Sequence, residues 1–414
     1  MAKKSEEMAQ NPGNGPGIGF AVSLGAVTLI GPLAIHLFLP VMPAVKSSFG
    51  ISDALVELTF SITLITMAVV TLVYGSLSDR YGRRPVLLAG LSLFVVGSGI
   101  AAITDSVAML IIGRMVQAIG AGCGTTLTRA IARDAYGPET LIKAIAYLTM
   151  AYTIGPMIAP PLGGILMDAF GWRSVFWFAV IVGVTITAAA YFVLGETRSR
   201  ADIAQRPVRF LSAYATLCTQ PRFVAYIVHS GCMSLVFFAI AAASPFLMND
   251  VLGRSATEYG LFFCFFPLGY CSGNLISGRL SGRVPIETMI MAGSVLTVAI
   301  VSTQTTLILN GYLNPYLIFV PGGMLSFAQG LALPNAQAGA MRVMPSLAGT
   351  AAGLGVFMQM FISAVSIELY GLFADGTPMP MIVLTSIGAA LVFIVGCICW
   401  TLRVPERPAT LATR

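Results

Sequence analysis

Long apolar stretches separated by short polar segments recur along the whole chain. Each is close to the ~20 residues that a helix needs to cross a bilayer. Barrel strands would be about ten residues long with alternating character, so these uniform runs predict helices. We number them span 1 to span 12; they lie at residues 19–43, 54–76, 86–104, 107–128, 141–167, 174–194, 222–247, 257–278, 286–309, 314–338, 346–373 and 379–402.

The composition agrees with this pattern. Hydrophobic residues occupy 57% of the 414 positions and the mean hydropathy is +0.86, which is typical of an integral membrane protein. We expect the N-terminal tail, residues 1–18, to be disordered, and both this tail and the C-terminal tail, residues 403–414, to lie in the cytoplasm. A cleaved signal peptide would have a shorter apolar core and a small-residue cleavage site, so we expect span 1 to be retained.

The basic residues are distributed unevenly between the two sides of the predicted membrane. Of the 23 Lys and Arg residues, all but Lys46, Arg114, Arg173 and Arg254 fall in the tails and in alternate loops on one side. The positive-inside rule makes that side cytoplasmic, with both termini on it. We expect a multi-pass protein of a bacterial inner membrane, and the net charge of +6 then gives no reason to expect nucleic acid as a partner. The seven cysteines lie mainly in apolar stretches and predict no disulfide framework.

An internal repeat divides the chain into two bundles of six helices. The run Gly75-Ser-Leu-Ser-Asp-Arg80 recurs as Gly278-Arg-Leu-Ser-Gly-Arg283, after the second span of each half. The predicted domains are an N-terminal bundle at 19–194, a cytoplasmic linker at 195–221 and a C-terminal bundle at 222–402. Weak internal symmetry of this kind is typical of secondary transporters, which hold their substrate between the halves.

A charged hinge between spans 2 and 3 reads GSLSDRYGRRPVLL from Gly75 to Leu88. We expect it to lie outside the hydrocarbon, with Gly75 allowing the two helices to approach closely. A tight turn with a surface salt bridge, worth about 1 kcal/mol or less, would explain the arginines equally simply. The run resembles the loop signature of the major facilitator superfamily, a family of secondary transporters. That resemblance implies a conformational switch and an all-α fold of twelve transmembrane helices in two pseudo-symmetric bundles.

Two further spans carry the resemblance. Span 4 holds the pattern R-x-x-Q-x-x-G from Arg114 to Gly120, followed by RAIARD, and it is similar to the fourth helix of exporters in this family. There the arginine is linked to proton coupling. An intramembrane arginine is costly and usually functional, but pairing with backbone carbonyls as a packing device is the alternative.

Span 5 reads YTIGPMIAPPLGGIL and resembles the antiporter signature of the superfamily, with a Pro-Pro pair where the family form has Gly-Pro. Its proline and glycine content is high enough to bend a helix. It fits the bicyclomycin-resistance branch of drug:proton antiporters. The predicted switch residues of the hinge and of spans 4 and 5 are Gly75, Asp79, Arg80, Gly82, Arg83, Arg84, Arg129, Asp134, Gly155, Pro156, Pro160, Pro161, Gly163 and Gly164.

His36 in span 1 departs from the resemblance. Exporters of that branch carry an aspartate at this place, and it is their proton and cation site. A histidine has an unperturbed pKa of ~6.5 and can still carry a proton near neutral pH. Glu57 in span 2 is a candidate compensating carboxylate, and Glu368 in span 11 is another, so the predicted proton-coupling set is His36, Glu57, Arg114 and Glu368. The alternative is a histidine that is merely hydrogen-bonded within a packed helix.

Aromatic and amide side chains within the spans are the candidate substrate contacts. Aromatics in membrane helices more often pack or face lipid, whereas a buried amide needs a partner. The candidates are Phe38, Tyr147, Tyr152, Phe237, Phe238, Phe265, Phe266, Asn274, Gln329, Met358 and Gln359.

No catalytic motif, nucleotide-binding loop or metal-ligand spacing occurs, so we expect neither an enzyme nor a cofactor. These observations favour a monomeric, proton-coupled exporter of small amphipathic drugs or toxic metabolites that works by alternating access. An uptake transporter for a small metabolite and a transport-inactive receptor are the alternatives.

Overall fold

The computed structural model describes residues 17–198 and 210–403. Within those ranges the chain is helical and has no strand, and twelve helices are long and apolar enough to cross a membrane. The predicted twelve-helix fold is confirmed. Most of the predicted tails 1–18 and 403–414, and residues 199–209 of the predicted linker, lie outside the described residues.

The spans run over the following residues: Ile18–Phe49, Asp53–Tyr81, Arg83–Ile103, Val107–Ala135, Lys143–Phe170, Arg173–Val193, Pro221–Val251, Ala256–Leu280, Ile286–Leu309, Pro315–Val343, Pro345–Phe373 and Met379–Thr401. The helix of span 5 already begins at Pro138. Between the halves, Phe210–Cys218 forms a short helix within the predicted linker.

Three spans are interrupted. Span 1 is a helix at Ile18–His36, a short 3₁₀ turn at Leu39–Val41 and a second helix at Met42–Phe49. Span 8 is divided at Cys264 into the helices Ala256–Phe263 and Phe265–Leu280. Span 7 ends in a π-helical turn at Leu247–Val251. Breaks at membrane depth are tolerated only where they are buried in protein or line a cavity, so they mark places of packing or function.

Local chemistry sets several helix ends. Ser52, Ser255 and Asn314 precede spans 2, 8 and 10, and each side chain accepts a hydrogen bond from the backbone N–H three residues later. Such caps satisfy donors that the helix itself leaves free.

The helices pack as two bundles of six. Spans 1 to 6 contact one another, as do spans 7 to 12, and the halves meet mainly through spans 2 and 11 and through spans 5 and 8. We call the side of the molecule that carries Asp79 and Arg83 the arginine-rich end, and the side that carries Lys46 and Asp250 the Lys46 end.

Polar and aromatic contacts between the described residues of the two halves are concentrated on one side of the molecule. The cross-half hydrogen bonds, ion pairs and ring contacts between residues of the twelve spans run from Lys46 and Asp250 inward to Met157 and Cys264. None of these contacts lies at the arginine-rich end. The arrangement is that of a two-bundle protein closed at the Lys46 end.

Candidate functional site

Arg114 lies in the middle of span 4 and is 1% exposed. The helix approaches its neighbours closely there, because the glycines on either side have no side chain. An ideal Cβ at Gly113 would lie 2.9 Å from the Ala101 nitrogen, and one at Gly120 would lie 2.2 Å from the Phe94 nitrogen. The glycines of span 4 are therefore used for close packing against span 3.

The guanidinium of Arg114 is held by carbonyls and amides. Nη1 donates to the carbonyl of Ala34 at 2.9 Å and to Gln117 Oε1 at 2.6 Å, and Nε donates to the carbonyl of Thr59 at 3.3 Å. The Ala34 carbonyl is available because the first helix of span 1 ends at His36, and the last carbonyls of a helix have no partner within it. Among the described residues no carboxylate pairs with Arg114, so its contacts match the packing alternative.

His36 is the last residue of the first helix of span 1. It is 8% exposed, and its ring lies 5.8 Å from the ring of Phe263 in span 8, so it sits between the two halves. Its Nδ1 has no hydrogen-bond partner among the described residues. Residues 37–41, between His36 and the helix Met42–Phe49, are the broken part of the span, which places the histidine at a junction rather than within a regular helix.

Two carboxyl groups face each other across the interface of spans 2 and 11. Glu57 is fully buried, and the hydroxyl of Ser61, one turn further along span 2, donates to Glu368. Gly371 packs on Glu57, since an ideal Cβ there would lie 2.8 Å from the Glu57 Cβ. The structure therefore brings together two of the four predicted proton-coupling residues, and sequence reasoning missed the Ser61 that links them.

The proline-rich part of span 5 packs against span 1 of its own half and against span 8 of the other half. Gly155 packs on Pro32 and Gly163 on the Leu37 carbonyl, both in span 1. Across the halves, an ideal Cβ at Gly164 would lie 2.2 Å from the Ala256 carbonyl oxygen.

The helix of span 5 stays continuous through Pro156, Pro160 and Pro161. Pro161 has no N–H for the carbonyl of Met157, and this carbonyl lies 3.6 Å from the thiol of Cys264 in span 8, which donates to it. Span 5 thus offers two features to the second half. Gly164 allows close approach of the span 8 backbone, and the Met157 carbonyl, which Pro161 cannot bond, accepts a hydrogen bond from Cys264.

Ionic contacts also close the Lys46 end. Lys46 pairs with Asp53 at 2.7 Å within the first half and with Asp250 of the second half at 3.7 Å. The carboxylate of Asp168 in span 5 accepts hydrogen bonds from the backbone N–H groups of Ala256 and Thr257, at the N-terminus of span 8. A carboxylate is stabilised at a helix N-terminus by the free N–H groups and the helix dipole. Sequence reasoning missed Asp168, and its only signal was its place one turn after Gly164.

Outside the spans, the exposed carboxylate of Asp375 belongs to the same end. It accepts hydrogen bonds from the Thr377 hydroxyl and N–H, and these lower the pKa of Asp375.

At the arginine-rich end, Arg83 is the centre of a charge network. Its Nη1 lies 2.8 Å from Asp79 Oδ1, its Nε donates to Asp134 at 2.8 Å, and Arg198 also pairs with Asp79. Glu196, which sequence reasoning missed, accepts hydrogen bonds from the N–H groups of Arg83 and of its neighbour. All of these residues belong to the first half or to the segment directly after it, so among the described residues this network does not join the halves.

The remaining switch residues of the hinge have different surroundings. Gly82 is the only residue between the two helices; its φ is 95°, and an ideal Cβ there would lie 2.6 Å from Glu196 Oε2. Arg84 donates to the carbonyls of Leu194 and Tyr191, and Arg80 is exposed over the Tyr81 ring.

The prediction that Gly75 allows close approach was wrong, because nothing lies within 4 Å of its ideal Cβ. The hinge is also shorter than expected, since Asp79 belongs to the last turns of span 2.

The predicted substrate contacts fall into separate groups. Phe237, Phe238 and Phe266 form one aromatic cluster in the second half, and Phe238 lies 6.3 Å from Phe60 across the interface. Phe38 instead packs between Arg114 and Phe176 in the first half. The others are half-buried or partly exposed, namely Tyr147, Tyr152, Phe265, Asn274, Gln329, Met358 and Gln359.

A polar group lies between spans 5 and 8. Tyr270 and Asn274 lie one turn apart on span 8, and Tyr152 lies on span 5, which packs against span 8. Tyr152 in turn lies within electrostatic reach of Arg129 in span 4. Tyr270 was absent from the sequence candidates because nothing in its neighbourhood distinguishes it from a packing aromatic. In the described residues, no group of three or more His, Cys, Asp or Glu side chains is placed to hold a metal ion.

Comparison with known proteins agrees with this architecture. Multidrug resistance protein D of Escherichia coli (strain K12) is 28% identical over 389 residues, which are 92% of this chain and 95% of that protein. Multidrug resistance protein MdtL of Escherichia coli O81 (strain ED1a) is 26% identical over 388 residues, or 93% and 91% of the two chains.

A solved structure shares the fold. It is a bacterial homologue of the human lysosomal transporter Spinster in an inward-facing, unoccupied conformation, and it matches with a TM-score of 0.76 at 15% identity over 94% of this chain and 98% of that chain. The model of the Major Facilitator Superfamily matches residues 24–367. This chain therefore belongs to the Major Facilitator Superfamily of membrane transporters.

Proposed function

We propose that the protein is a proton-coupled exporter of small amphipathic drugs or toxic metabolites that works as a monomer by alternating access. The observation that carries this proposal is the interface at the Lys46 end, where the two halves meet over buried ionisable groups. His36, Glu57 and Glu368 all lie at that interface. Groups that can gain and lose protons at the contact between two moving bodies are a direct way to link a proton gradient to movement.

In this proposal the arginine-rich end faces the cytoplasm of a bacterial cell. The uneven distribution of Lys and Arg supports that orientation, with both termini inside. The closed Lys46 end then faces outward, and a substrate would enter between the halves from the cytoplasm or the inner leaflet. The alternate state would part spans 5 and 8 at Gly164 and spans 2 and 11 at Gly371.

The substrate is proposed by analogy with the relatives, two of which are named multidrug resistance proteins. The polar group of Tyr152, Tyr270 and Asn274 supports this, because aromatic faces with a few hydroxyl and amide groups suit amphipathic molecules. The aromatic cluster around Phe237 extends the same surface into the second half.

Arg114 has a positioning role in this mechanism. Its bonds to the carbonyls of Ala34 and Thr59 hold the end of the span 1 helix, and thus His36, against span 2. We expect Arg114→Ala to lose proton-coupled efflux by at least about tenfold, because a buried charge-assisted hydrogen bond is worth about 1.5–3 kcal/mol. Arg114→Lys should keep part of the activity, since it can still donate to one carbonyl.

The deciding experiment is efflux in a drug-sensitive bacterium that lacks its own major exporters, followed by transport in inside-out vesicles. Expression should raise tolerance to at least one amphipathic compound of a panel, and addition of that compound to energised vesicles should release protons. Arg222→Gln is a suitable control, because this arginine pairs with Glu287 within the second half, away from the interface. No change in tolerance, efflux or proton release across the panel would contradict the proposal, and substrate accumulation in intact cells would favour uptake.

A further inference from the structure

The contact between spans 2 and 11 contains more than a packing surface. Ser61 follows Glu57 by four residues, so both side chains lie on the same face of span 2. On span 11, Glu368 and Gly371 are three residues apart and share the facing side. Glu368 accepts the Ser61 hydrogen bond and Gly371 packs on the Glu57 side chain, so the two carboxyl groups are neighbours across the halves.

The environment of Glu57 disfavours a charge. The side chain has no exposed surface, and neither of its carboxyl oxygens has a hydrogen-bond partner among the described residues. The basic side chains of this region have other partners. Lys46 is engaged by Asp53 at 2.7 Å and by Asp250 at 3.7 Å. The Arg114 guanidinium donates to backbone carbonyls and to Gln117. An isolated buried carboxylate is strongly destabilised, so the closed interface favours the neutral acid form of Glu57.

The other titratable groups around the pair do not compensate a negative charge. Asp53 lies one turn before Glu57 on span 2, and Tyr259 of span 8 and Tyr370 of span 11 also approach it. These groups are acidic or neutral. Two carboxylates that share a site repel each other when both are ionised.

We propose that Glu57 and Glu368 form a two-carboxyl proton site that holds the Lys46 end closed while it is protonated and opens it when both protons are lost. The inference rests on the proposed proton coupling and names where and how it acts. Loss of the protons places two adjacent carboxylates in the interface of spans 2 and 11, and opening that interface hydrates them.

The direction agrees with antiport. In the open state, both carboxylates take up protons from the solution at the Lys46 end, and the neutral pair lets the interface close. In the closed state Glu368 is half-buried whereas Glu57 has no exposed surface, so in this proposal the protons leave through Glu368 and are released on the arginine-rich side. Protons thus move inward, and the substrate leaves when the Lys46 end next opens.

Spin labels can report the opening directly. Ser47 of the first half and Asn249 of the second half are exposed and line the same pocket of about 510 Å³ at the Lys46 end. With both changed to labelled cysteines in a background without other cysteines, the distance between the labels is measured in lipid nanodiscs from about pH 5 to about pH 9. We expect the short distance at low pH and a growing long-distance population as pH rises.

The variant Glu57→Gln with Glu368→Gln imitates the protonated pair. It should keep the short distance over the whole pH range, while each single variant should lose part of the response. Asp375→Asn is the matched control, because it removes an exposed carboxylate of the same end that stays ionised, and it should respond like the parent.

An unchanged pH response in the double variant would overturn the proposal. So would a response that survives in Glu57→Gln but disappears in Asp250→Asn, because the ion pairs of Lys46 would then be the titrating element. If the double variant does not fold, the single variants decide between the same outcomes.

Failure of this inference and failure of the proposed function can be told apart by measuring efflux of the panel compounds separately. A pH response that the double variant loses, in a protein that exports nothing, would support the proton site and contradict the exporter. Proton-driven efflux with a label distance that never changes would contradict the proton site and leave the exporter intact.

Discussion

The two hinges that connect the second and third spans of each half have related sequences but different structures. In the first half Gly82 alone separates the helices, with a φ of 95°. In the second half the helix ends at Leu280 and the next begins at Ile286, and the left-handed residue is Gly282 with a φ of 76°. In the register of the repeat, Gly282 stands at the place of Asp79. The chain therefore reverses its direction in both hinges, but the glycine with positive φ occupies a different position of the repeat in each.

The charges differ more than the turns do. Arg83 of the first hinge is buried and bound to Asp79 and Asp134. Arg279 and Arg283 of the second hinge are exposed and make no ion pair with any described residue. A repeat in sequence thus predicts similar backbone positions. The network that ties three spans of the first half to the segment after span 6 depends on residues outside the repeat.

The largest expected contrast is between the two turn glycines. Gly82→Ala must place a Cβ in a left-handed conformation and against Glu196, whose carboxylate caps the following helix. We expect a loss of roughly 2–4 kcal/mol from strain and displacement together. Gly282→Ala meets nothing within 4 Å and should lose only about 1–2 kcal/mol. Thermal unfolding of the two variants in detergent measures the difference, and equal losses would mean that the Glu196 contact adds nothing.

The second contrast concerns the arginines. Arg83→Gln leaves Asp79 and Asp134 without their shared cation in a partly buried site, and we expect a loss of about 1.5–3 kcal/mol. Arg283→Gln, in the second hinge, should change stability by no more than about 0.5 kcal/mol. Chemical denaturation monitored by intrinsic fluorescence provides the comparison. If Arg283→Gln were as harmful as Arg83→Gln, the second hinge would have a network that the described contacts do not include.

Sequence alone predicted the fold well because its signals are local. The twelve apolar runs, the repeat at Gly75 and Gly278, and the R-x-x-Q-x-x-G pattern of span 4 all act within one helix or between neighbours. The partners across the halves could not be predicted in the same way. Ser61 and Asp168 are ordinary residues in their own helices, and they become important only because Glu368 and the start of span 8 lie opposite them. Arg114 was identified, but its carbonyl partners depend on where span 1 breaks.

A smaller effect on stability is expected for Asp79→Asn. The side chain of Asp79 is 47% exposed, so loss of its pairs with Arg83 and Arg198 should cost about 1 kcal/mol or less. Transport should nevertheless fall, because the variant removes the carboxylate that the second hinge lacks. Efflux per inserted molecule separates the two effects. Normal efflux from a fully inserted Asp79→Asn protein would contradict a switch role for Asp79 and leave it as a solvent-exposed ion-pair partner of Arg83 and Arg198.

The smallest effect is expected at the first glycine of each repeat, where the structure leaves open space. Nothing lies within 4 Å of an ideal Cβ at Gly75 or at Gly278, and both residues are within helices. Alanine costs about 0.5–1 kcal/mol less than glycine in a helix interior, so both variants should be slightly more stable than the parent. Thermal unfolding should show equal small gains. If Gly75→Ala is stabilised but loses transport while Gly278→Ala keeps it, the first glycine is needed for close approach in the other conformation, and its role as a switch residue survives there.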